Sequence, residues 1–187
     1  MDQLRAAVGR LRPGGAPGRA SLVAALVVAL LLGAASEIRS GRGAARLADT
    51  FESPGAVAAA VLDALAAGDV NGLRRLALTA DEFREVIWPE LPSSRPEVAL
   101  PVAYAWGTLA QNSHGSLAST LRVHGGRRYA LGGVHVEGEV TDYATFTVHR
   151  EVALDVTDAM GDRRRLRLFG SLVEQDHRWK IFSFVVD

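Results

Sequence analysis

The sequence predicts an α+β protein in which a membrane helix precedes helices packed on an antiparallel sheet. Three observations lead to this fold class. An uncharged, apolar run covers residues 20–36 between arginine-containing flanks. Apolar residues then recur at spacings of three and four as far as Leu121, which is the period of helices. From Tyr129 onward the apolar period changes to two, which is the period of strands.

Composition and charge restrict the function classes. The chain has 187 residues, 48% hydrophobic and 22% charged, as is typical of a folded domain rather than a disordered chain. It has no cysteine, which excludes disulfides, thiolate nucleophiles and cysteine-bound zinc. The net charge of zero hides a cancellation, because residues 1–51 hold seven arginines and three acidic residues (+4) and residues 52–187 therefore carry −4. We expect no nucleic-acid binding from this mildly acidic domain.

The N-terminal segment has the pattern of a membrane anchor. Residues 1–19 are basic, with four arginines before the apolar run. As a helix, residues 20–36 would span roughly 25 Å, a little less than the roughly 30 Å hydrocarbon layer of a bilayer. We expect a transmembrane signal anchor there, and the alternative is a signal peptide cleaved before Ser36. A buried helix of a soluble core fits poorly because apolar residues cover every face, and residues 37–51 are predicted to be a linker.

The arginine distribution also predicts an orientation. Four arginines precede the apolar run and three follow it, and positive charge favours the cytoplasmic side of a membrane. We therefore expect a single-pass protein of the cell membrane whose C-terminal domain lies outside the cytoplasm. The membrane is its first expected partner, contacted through residues 20–36.

The next segment is predicted to hold several short helices. Ser53 is a suitable N-cap with proline in the first turn, Gly68 ends this helix, and Asp69 can cap the next one. Thr79 and Glu82 form a capping-box pattern for a third helix. The first helix shows one apolar stripe, made of Val57, Val61, Leu62 and Leu65.

A proline-containing loop and one longer helix follow. Residues 88–101 hold four prolines and are predicted to be a loop. A long helical pattern begins at Val102, and glycines within it suggest a break near residues 113–115. Its apolar side carries Trp106, Leu109, Leu117 and Leu121.

The last third of the chain is predicted to be a strand meander. Short turns separate its strands, so neighbouring strands should pair antiparallel, with the helices on one sheet face. The predicted strands cover residues 129–136, 141–156, 163–175 and 179–186.

Two stretches of this domain resemble a known superfamily. The opening LDALAAGDVNGLRRLA (residues 62–77) and the closing FGSLVEQDHRWKIFSF (residues 169–184) are similar to the nuclear transport factor 2-like superfamily, which includes SnoaL-like and ketosteroid isomerase-like proteins. The resemblance covers residues 52–187. It implies a cone in which a curved antiparallel sheet wraps a long helix and leaves a pocket at the wide end. Members include isomerases, cyclases, dehydratases and non-catalytic binding modules, so this fold does not fix a function.

Arg150 breaks the alternation of the longest predicted strand. It shares the parity of the residues expected to face the helices, namely Phe146, Val148, Val152, Leu154 and Val156. An unpaired buried guanidinium would be costly. Arg150 therefore needs a carboxylate partner, such as Glu90 or Glu85, or it lies at a bulge or rim. As a functional group it would bind a ligand anion inside the cone.

His114 is the other candidate for chemistry. Near the predicted helix break it would point into the cone mouth with Tyr104 and Trp106, and a histidine that titrates near neutral pH can act as acid or base. A surface or capping histidine is the ordinary interpretation of such a position. The ligand-pocket candidates are Arg150, Glu90, Tyr104, Trp106 and His114, and no catalytic residue is assigned.

The sequence predicts neither a metal nor a cofactor. His149, Glu151 and Tyr143 share one strand face, but a metal site needs three or four convergent ligands and the chain has no closely spaced histidine pair. Gly-rich phosphate loops and nucleophile elbows are also absent from the sequence.

Two functions remain open. The favoured one is a membrane-tethered, non-catalytic module that binds a small apolar ligand or a protein partner. The alternative is a SnoaL-like enzyme that performs acid–base chemistry, of isomerase, cyclase or dehydratase type, on a small organic substrate. An apolar cavity in which Arg150, His114 and Glu90 converge would favour the enzyme. An interior filled by Trp106 and leucine side chains would favour the binding module. Self-association into a homodimer through the outer sheet face is a further expectation.

Overall fold

The computed structural model describes residues 45–98 and 100–186. The predicted basic segment, the predicted membrane helix and most of the predicted linker lie outside these residues. Within the described part of the chain, no helix is both long enough and apolar enough to span a bilayer. The architecture is α+β with antiparallel sheets, as the sequence predicted.

Helices occupy the first half of the domain. The α-helices are α1 (Pro54–Ala67), α2 (Val70–Arg75), α3 (Ala80–Glu82) and α4 (Val102–His124). A π-helix (Phe83–Ile87) continues directly from α3, and two 3₁₀ turns (Trp88–Glu90 and Pro92–Ser94) follow it.

The helix caps lie where the sequence predicted them, whereas the interiors of two helices differ from the prediction. The Ser53 hydroxyl caps α1, Gly68 ends it in the left-handed conformation at φ 65°, and Thr79 and Glu82 form the predicted capping box. The predicted third helix contains a π turn before its proline. α4 runs unbroken through Gly115, because a 23-residue helix packed along its length tolerates the weak helix propensity of glycine.

The second half of the domain forms two antiparallel sheets. One has the strand order β1-β4-β5 and the other the order β2-β3-β6-β7. The strands are β1 (Tyr129–Val136), β2 (Val140–Asp142), β3 (Thr147–Arg150), β4 (Val152–Asp158), β5 (Arg163–Leu166), β6 (Ser171–Gln175) and β7 (Arg178–Ser183).

The two sheets are joined along their strands. β3 and β4 are separated only by Glu151, which has a left-handed backbone at φ 52°. Backbone bonds continue across this bulge, from the Arg150 N–H to the Glu139 carbonyl at 3.0 Å and from the Val152 N–H to the Gly170 carbonyl at 3.1 Å. The predicted strand 141–156 therefore contains this bulge and a complete turn at residues 143–146, where the sequence shows neither glycine nor proline.

Two buried apolar clusters hold the helices and strands together. The first centres on α1 and includes Val152, Leu154 and Val156, and the second centres on the π-helix and includes Phe146 and Val148. All five strand residues are buried, which confirms the predicted parity.

Strand β6 contributes to both clusters. Leu172 belongs to the first and Val173 to the second, and each is 0% exposed. Consecutive strand residues point to opposite faces, so both faces of β6 are covered. The prediction that helices pack on one sheet face does not hold at this strand.

Residues 45–51 belong to the folded domain, although the sequence predicted a linker as far as residue 51. Leu47 is buried and its N–H donates to Gln175 Oε1 at 2.8 Å. Phe51 and Trp179 exchange two backbone hydrogen bonds of 2.8 Å. The edge of β7 offers unpaired backbone groups to this segment, which explains why a short stretch that lacks helical or strand periodicity is nevertheless docked.

A buried ion pair lies where this segment meets α3 and β7. Lys180 Nζ donates to the two Glu82 carboxylate oxygens at 2.8 and 3.0 Å and to the Ala48 carbonyl at 2.9 Å. Glu82 also accepts the backbone N–H groups of Ala48 and Thr79, each at 2.8 Å. Burial raises the pKa of Glu82, but the hydrogen bonds from Lys180 and the two backbone groups outweigh burial and lower it. The Glu82 carboxyl is therefore ionised at neutral pH.

Removal of the lysine charge should destabilise the domain strongly. In the Lys180→Met variant a buried carboxylate has no counterion, so we expect the free energy of unfolding in urea to fall by about 3–5 kcal/mol. The matched control is Arg84→Gln, which breaks the exposed 2.7 Å pair with Asp81 and should cost less than about 1 kcal/mol. Equal losses in the two variants would show that the buried pair has no special role.

Acidification should weaken the fold through Glu82. Its pKa in the folded state lies below the ordinary value of 4.5, so the unfolded chain binds the proton more tightly. The resulting stabilisation is complete above about pH 4.5 and is lost as the pH falls through the lowered folded-state pKa. Glu82→Gln does not titrate, so its free energy of unfolding should fall less than that of the wild type between neutral pH and about pH 3. Parallel curves for both proteins would refute this linkage.

Candidate functional site

The structure separates the five predicted pocket residues. Arg150 and Tyr104 line one groove, whereas Trp106 and His114 border a different and much smaller hollow. Glu90 lines neither. The convergence of Arg150, His114 and Glu90 that would favour an enzyme is not formed.

The groove runs between α4 and the strands, with a volume of about 490 Å³. We call it the α4 groove. Its helix side includes Tyr104, Thr108 and Leu109, and its strand side includes Tyr143, Val148 and Arg150. The end of the described chain, at Val185, borders it as well.

Arg150 lies exposed at the end of β3. Within the described residues no carboxylate comes within 4.0 Å of its guanidinium, so neither Glu90 nor Glu85 is its partner. Of the alternatives that the sequence left open, the structure shows the bulge, because the left-handed Glu151 follows Arg150 directly. The guanidinium thus avoids the cost of burial and remains accessible from the groove.

Glu90 has a structural role that sequence reasoning missed. Its carboxylate accepts the backbone N–H groups of Ala144 at 2.6 Å and Thr145 at 3.2 Å, and it also accepts the Thr145 hydroxyl. These bonds hold the turn between β2 and β3 across 54 residues of sequence. The sequence predicted a proline-containing loop that holds Glu90 against Arg150. The loop instead directs Glu90 toward the turn between β2 and β3.

Trp106 is half-buried and packs against the cluster around the π-helix. Its ring centroid lies 5.4 Å from that of Phe83, which lies 6.0 Å from that of Trp88. The adjoining hollow measures only about 50 Å³, which is too small for an organic ligand by comparison with pockets of roughly 300–1,000 Å³. Aromatic side chains thus pack around the π-helix, whereas Tyr104 and Arg150 border the much larger α4 groove.

Most charged side chains on the β1-β4-β5 sheet are committed to one another. Arg165 donates to Asp155 at 2.8 Å and to Glu137 at 3.1 Å, and Arg167 donates to Glu137 at 2.9 Å. The hydrogen bond from Arg165 lowers the pKa of Asp155 to about 2, opposed by burial and assisted by His135. The sequence does contain a pattern that is consistent with this network of ion pairs. The alternation of residues along an edge strand places Arg165 and Arg167 on the same face.

The described histidines other than His114 each lie beside one polar side chain and not in a cluster. His149 Nε2 lies 3.1 Å from Glu174, and the ring packs on Trp179 with centroids 4.6 Å apart. His124 Nδ1 lies 2.9 Å from the Tyr129 hydroxyl, and burial, followed by the charge of Arg127, lowers the pKa of His124. Within residues 45–98 and 100–186, no group of three potential ligands is placed to hold a metal ion.

The lining of the α4 groove suits binding. Its polar groups are hydroxyls, one amide and the Arg150 guanidinium, and none of the described lining residues is a carboxylate or an imidazole. A general base of the usual kind must lie within hydrogen-bond reach of the proton it removes. The groove can therefore orient a ligand and counter its charge, but its lining supplies no such base.

Comparison of the chain with protein-family models, with curated proteins and with solved structures yields no significant match.

Proposed function

We propose that this chain is a membrane-tethered, non-catalytic binding module that takes up a small apolar ligand in the α4 groove. The observation that carries the proposal is the groove itself: about 490 Å³, open to solvent and lined on both sides by apolar side chains without a carboxylate or imidazole among its described residues. The enzyme alternative requires a proton-transfer group, and the residues that the sequence offered for this role lie elsewhere.

The packing at the wide end supports the same proposal. In a nuclear transport factor 2-like cone, which we propose for residues 52–187, an active site would occupy the interior. In this chain Phe83 packs against both Trp88 and Trp106 in the buried cluster around the π-helix, and the hollow beside Trp106 measures only about 50 Å³. A ligand therefore has room in the α4 groove and not in the small hollow beside Trp106.

The tether is proposed from the sequence. Residues 20–36 are apolar and uncharged, and arginines flank them on both sides. The domain follows with only a short connection, since residues 45–51 are already docked onto β7. We infer that the folded domain lies on the outer side of the cytoplasmic membrane.

A reporter fused after Asp187 tests the tether and its orientation. Alkaline phosphatase, which folds only outside the cytoplasm, should be active in this fusion and should remain in the membrane pellet after carbonate extraction. β-Galactosidase at the same site should be inactive. The reversed pattern would overturn the orientation, and release of the phosphatase fusion by carbonate would overturn the anchor.

Photolabelling with a neutral probe tests binding in the α4 groove. The full chain in lipid nanodiscs is irradiated with 4-benzoylbenzamide, and labelled peptides are mapped by mass spectrometry. We expect labelling of peptides that contain Tyr104 or Tyr143, because both rings line the groove. Thr108→Trp fills the groove and should abolish this labelling.

The matched control is Ala118→Trp, an equally large substitution at an exposed α4 position outside the groove. It should leave the labelling pattern unchanged. Absence of labelled groove peptides in the wild type, or equal labelling of the Thr108→Trp variant, would overturn the proposed site.

A further inference from the structure

We propose that the ligand of the α4 groove is an amphiphile with a single carboxylate, which Arg150 binds while the apolar part of the ligand lies along α4. This inference rests on the proposed function and adds the chemical class of the ligand. It follows from three features of the described residues: the unpaired state of Arg150, the bulge that produces it, and the composition of the groove.

Arg150 differs from Arg165 of β5 and from Arg167, which follows that strand. Arg165 and Arg167 each bond two carboxylates within 3.3 Å. Arg150 has no salt bridge to any described residue. Arg150 lines the α4 groove, in which the other described lining residues are uncharged, and it also borders a second hollow of about 210 Å³ whose lining includes Glu139, Glu151 and Arg167. Charge complementarity therefore calls for a ligand anion at this point.

The bulge explains why Arg150 lacks an internal partner. The next residue, Glu151, is left-handed at φ 52°, and its carboxylate accepts from Arg167 at 3.3 Å. The backbone of Arg150 is held on both sides, by pairing with Ser171 of β6 and by the bond from its N–H to the Glu139 carbonyl. The nearest acidic neighbour in the chain is thus committed elsewhere, while the backbone that carries the guanidinium stays fixed.

The remaining lining determines the rest of the ligand. Tyr104 is 65% exposed, an unusually open position for an aromatic side chain. Across the groove, Tyr143 stacks on Phe146 with centroids 4.6 Å apart, which fixes the orientation of its ring. Leu109 and Val148 add apolar surface to the same lining. Such a surface favours an apolar or aromatic body over a sugar or a nucleotide.

The number of charges favours a carboxylate over a phosphate. A planar guanidinium matches a carboxylate in a bidentate hydrogen bond. One cation in an otherwise uncharged groove neutralises a monoanion, whereas a dianion would retain an uncompensated charge beside apolar side chains.

The segment after β7 is held in place by a close backbone approach. Gly170 follows Phe169 at the start of β6, and a Cβ atom at this position would overlap the Val185 carbonyl oxygen. The Phe184 N–H donates to Ser113 of α4 at 3.0 Å. These two contacts keep the segment after β7 against both the sheet and α4, and Val185 of this segment borders the groove.

Paired photoprobes test the ligand class with the full chain in nanodiscs. The probes are 4-benzoylbenzoate, its neutral isostere 4-benzoylbenzamide, and 4-benzoylphenylphosphonate as the dianion. Titration of groove-peptide labelling gives an apparent Kd for each probe. We expect the carboxylate to bind about tenfold more tightly than the amide, as one charge-assisted hydrogen-bond pair implies, and also more tightly than the phosphonate.

Variants assign the preference to Arg150. Arg150→Gln should reduce the acid-to-amide ratio to about one while the amide still labels the groove. Arg163→Gln, which removes an exposed arginine outside the groove, should retain the ratio. The thermal unfolding midpoints of both variants should match that of the wild type.

The outcomes separate the two proposals. Equal Kd values for acid and amide in the wild type, or an unchanged ratio in Arg150→Gln, would overturn the carboxylate class and leave the binding module standing. A tighter phosphonate would replace the carboxylate by a phosphorylated ligand. Failure of all three probes to label groove peptides would overturn both proposals.

Discussion

The buried pair of Lys180 and Glu82 is the constraint on which the rest of the domain depends. It joins three segments that are distant in the sequence: the segment before α1 through Ala48, the start of α3 through Thr79, and the edge strand β7. A charge buried to this extent is tolerated only when its hydrogen bonds are complete. The pair therefore specifies one docking geometry for the helices at this end of the sheet.

That geometry determines where a ligand can bind. Once Glu82 is held against β7, the following π-helix places Phe83 and Trp88 over the sheet, and Trp106 of α4 packs against Phe83. The interior is thereby filled with aromatic side chains. The α4 groove lies between α4 and the strands, where Arg150 has no salt-bridge partner among the described residues. The binding groove is in this sense a consequence of how the core is packed.

Much of the fold was accessible from local sequence patterns. The caps at Ser53, Asp69 and Thr79 and the parity of the longest strand all appear as predicted, because each depends on residues within a few positions of one another. The turn at residues 143–146 was missed, because its stability comes from Glu90 across 54 residues. The docking of residues 45–51 was missed for the same reason, since its partners lie on β7 and β6.

The sequence by itself determined the α+β class, the helix boundaries and the position of Arg150 on the parity of the buried strand residues. Only the tertiary structure decided what Arg150 contacts, because a single left-handed residue, Glu151, ends the regular strand beside it. It also decided that Glu90 holds a turn and that Trp106 occupies the interior. The physical reason is that period and capping are local properties of a chain, whereas the partners of a charge are chosen by contacts between distant segments.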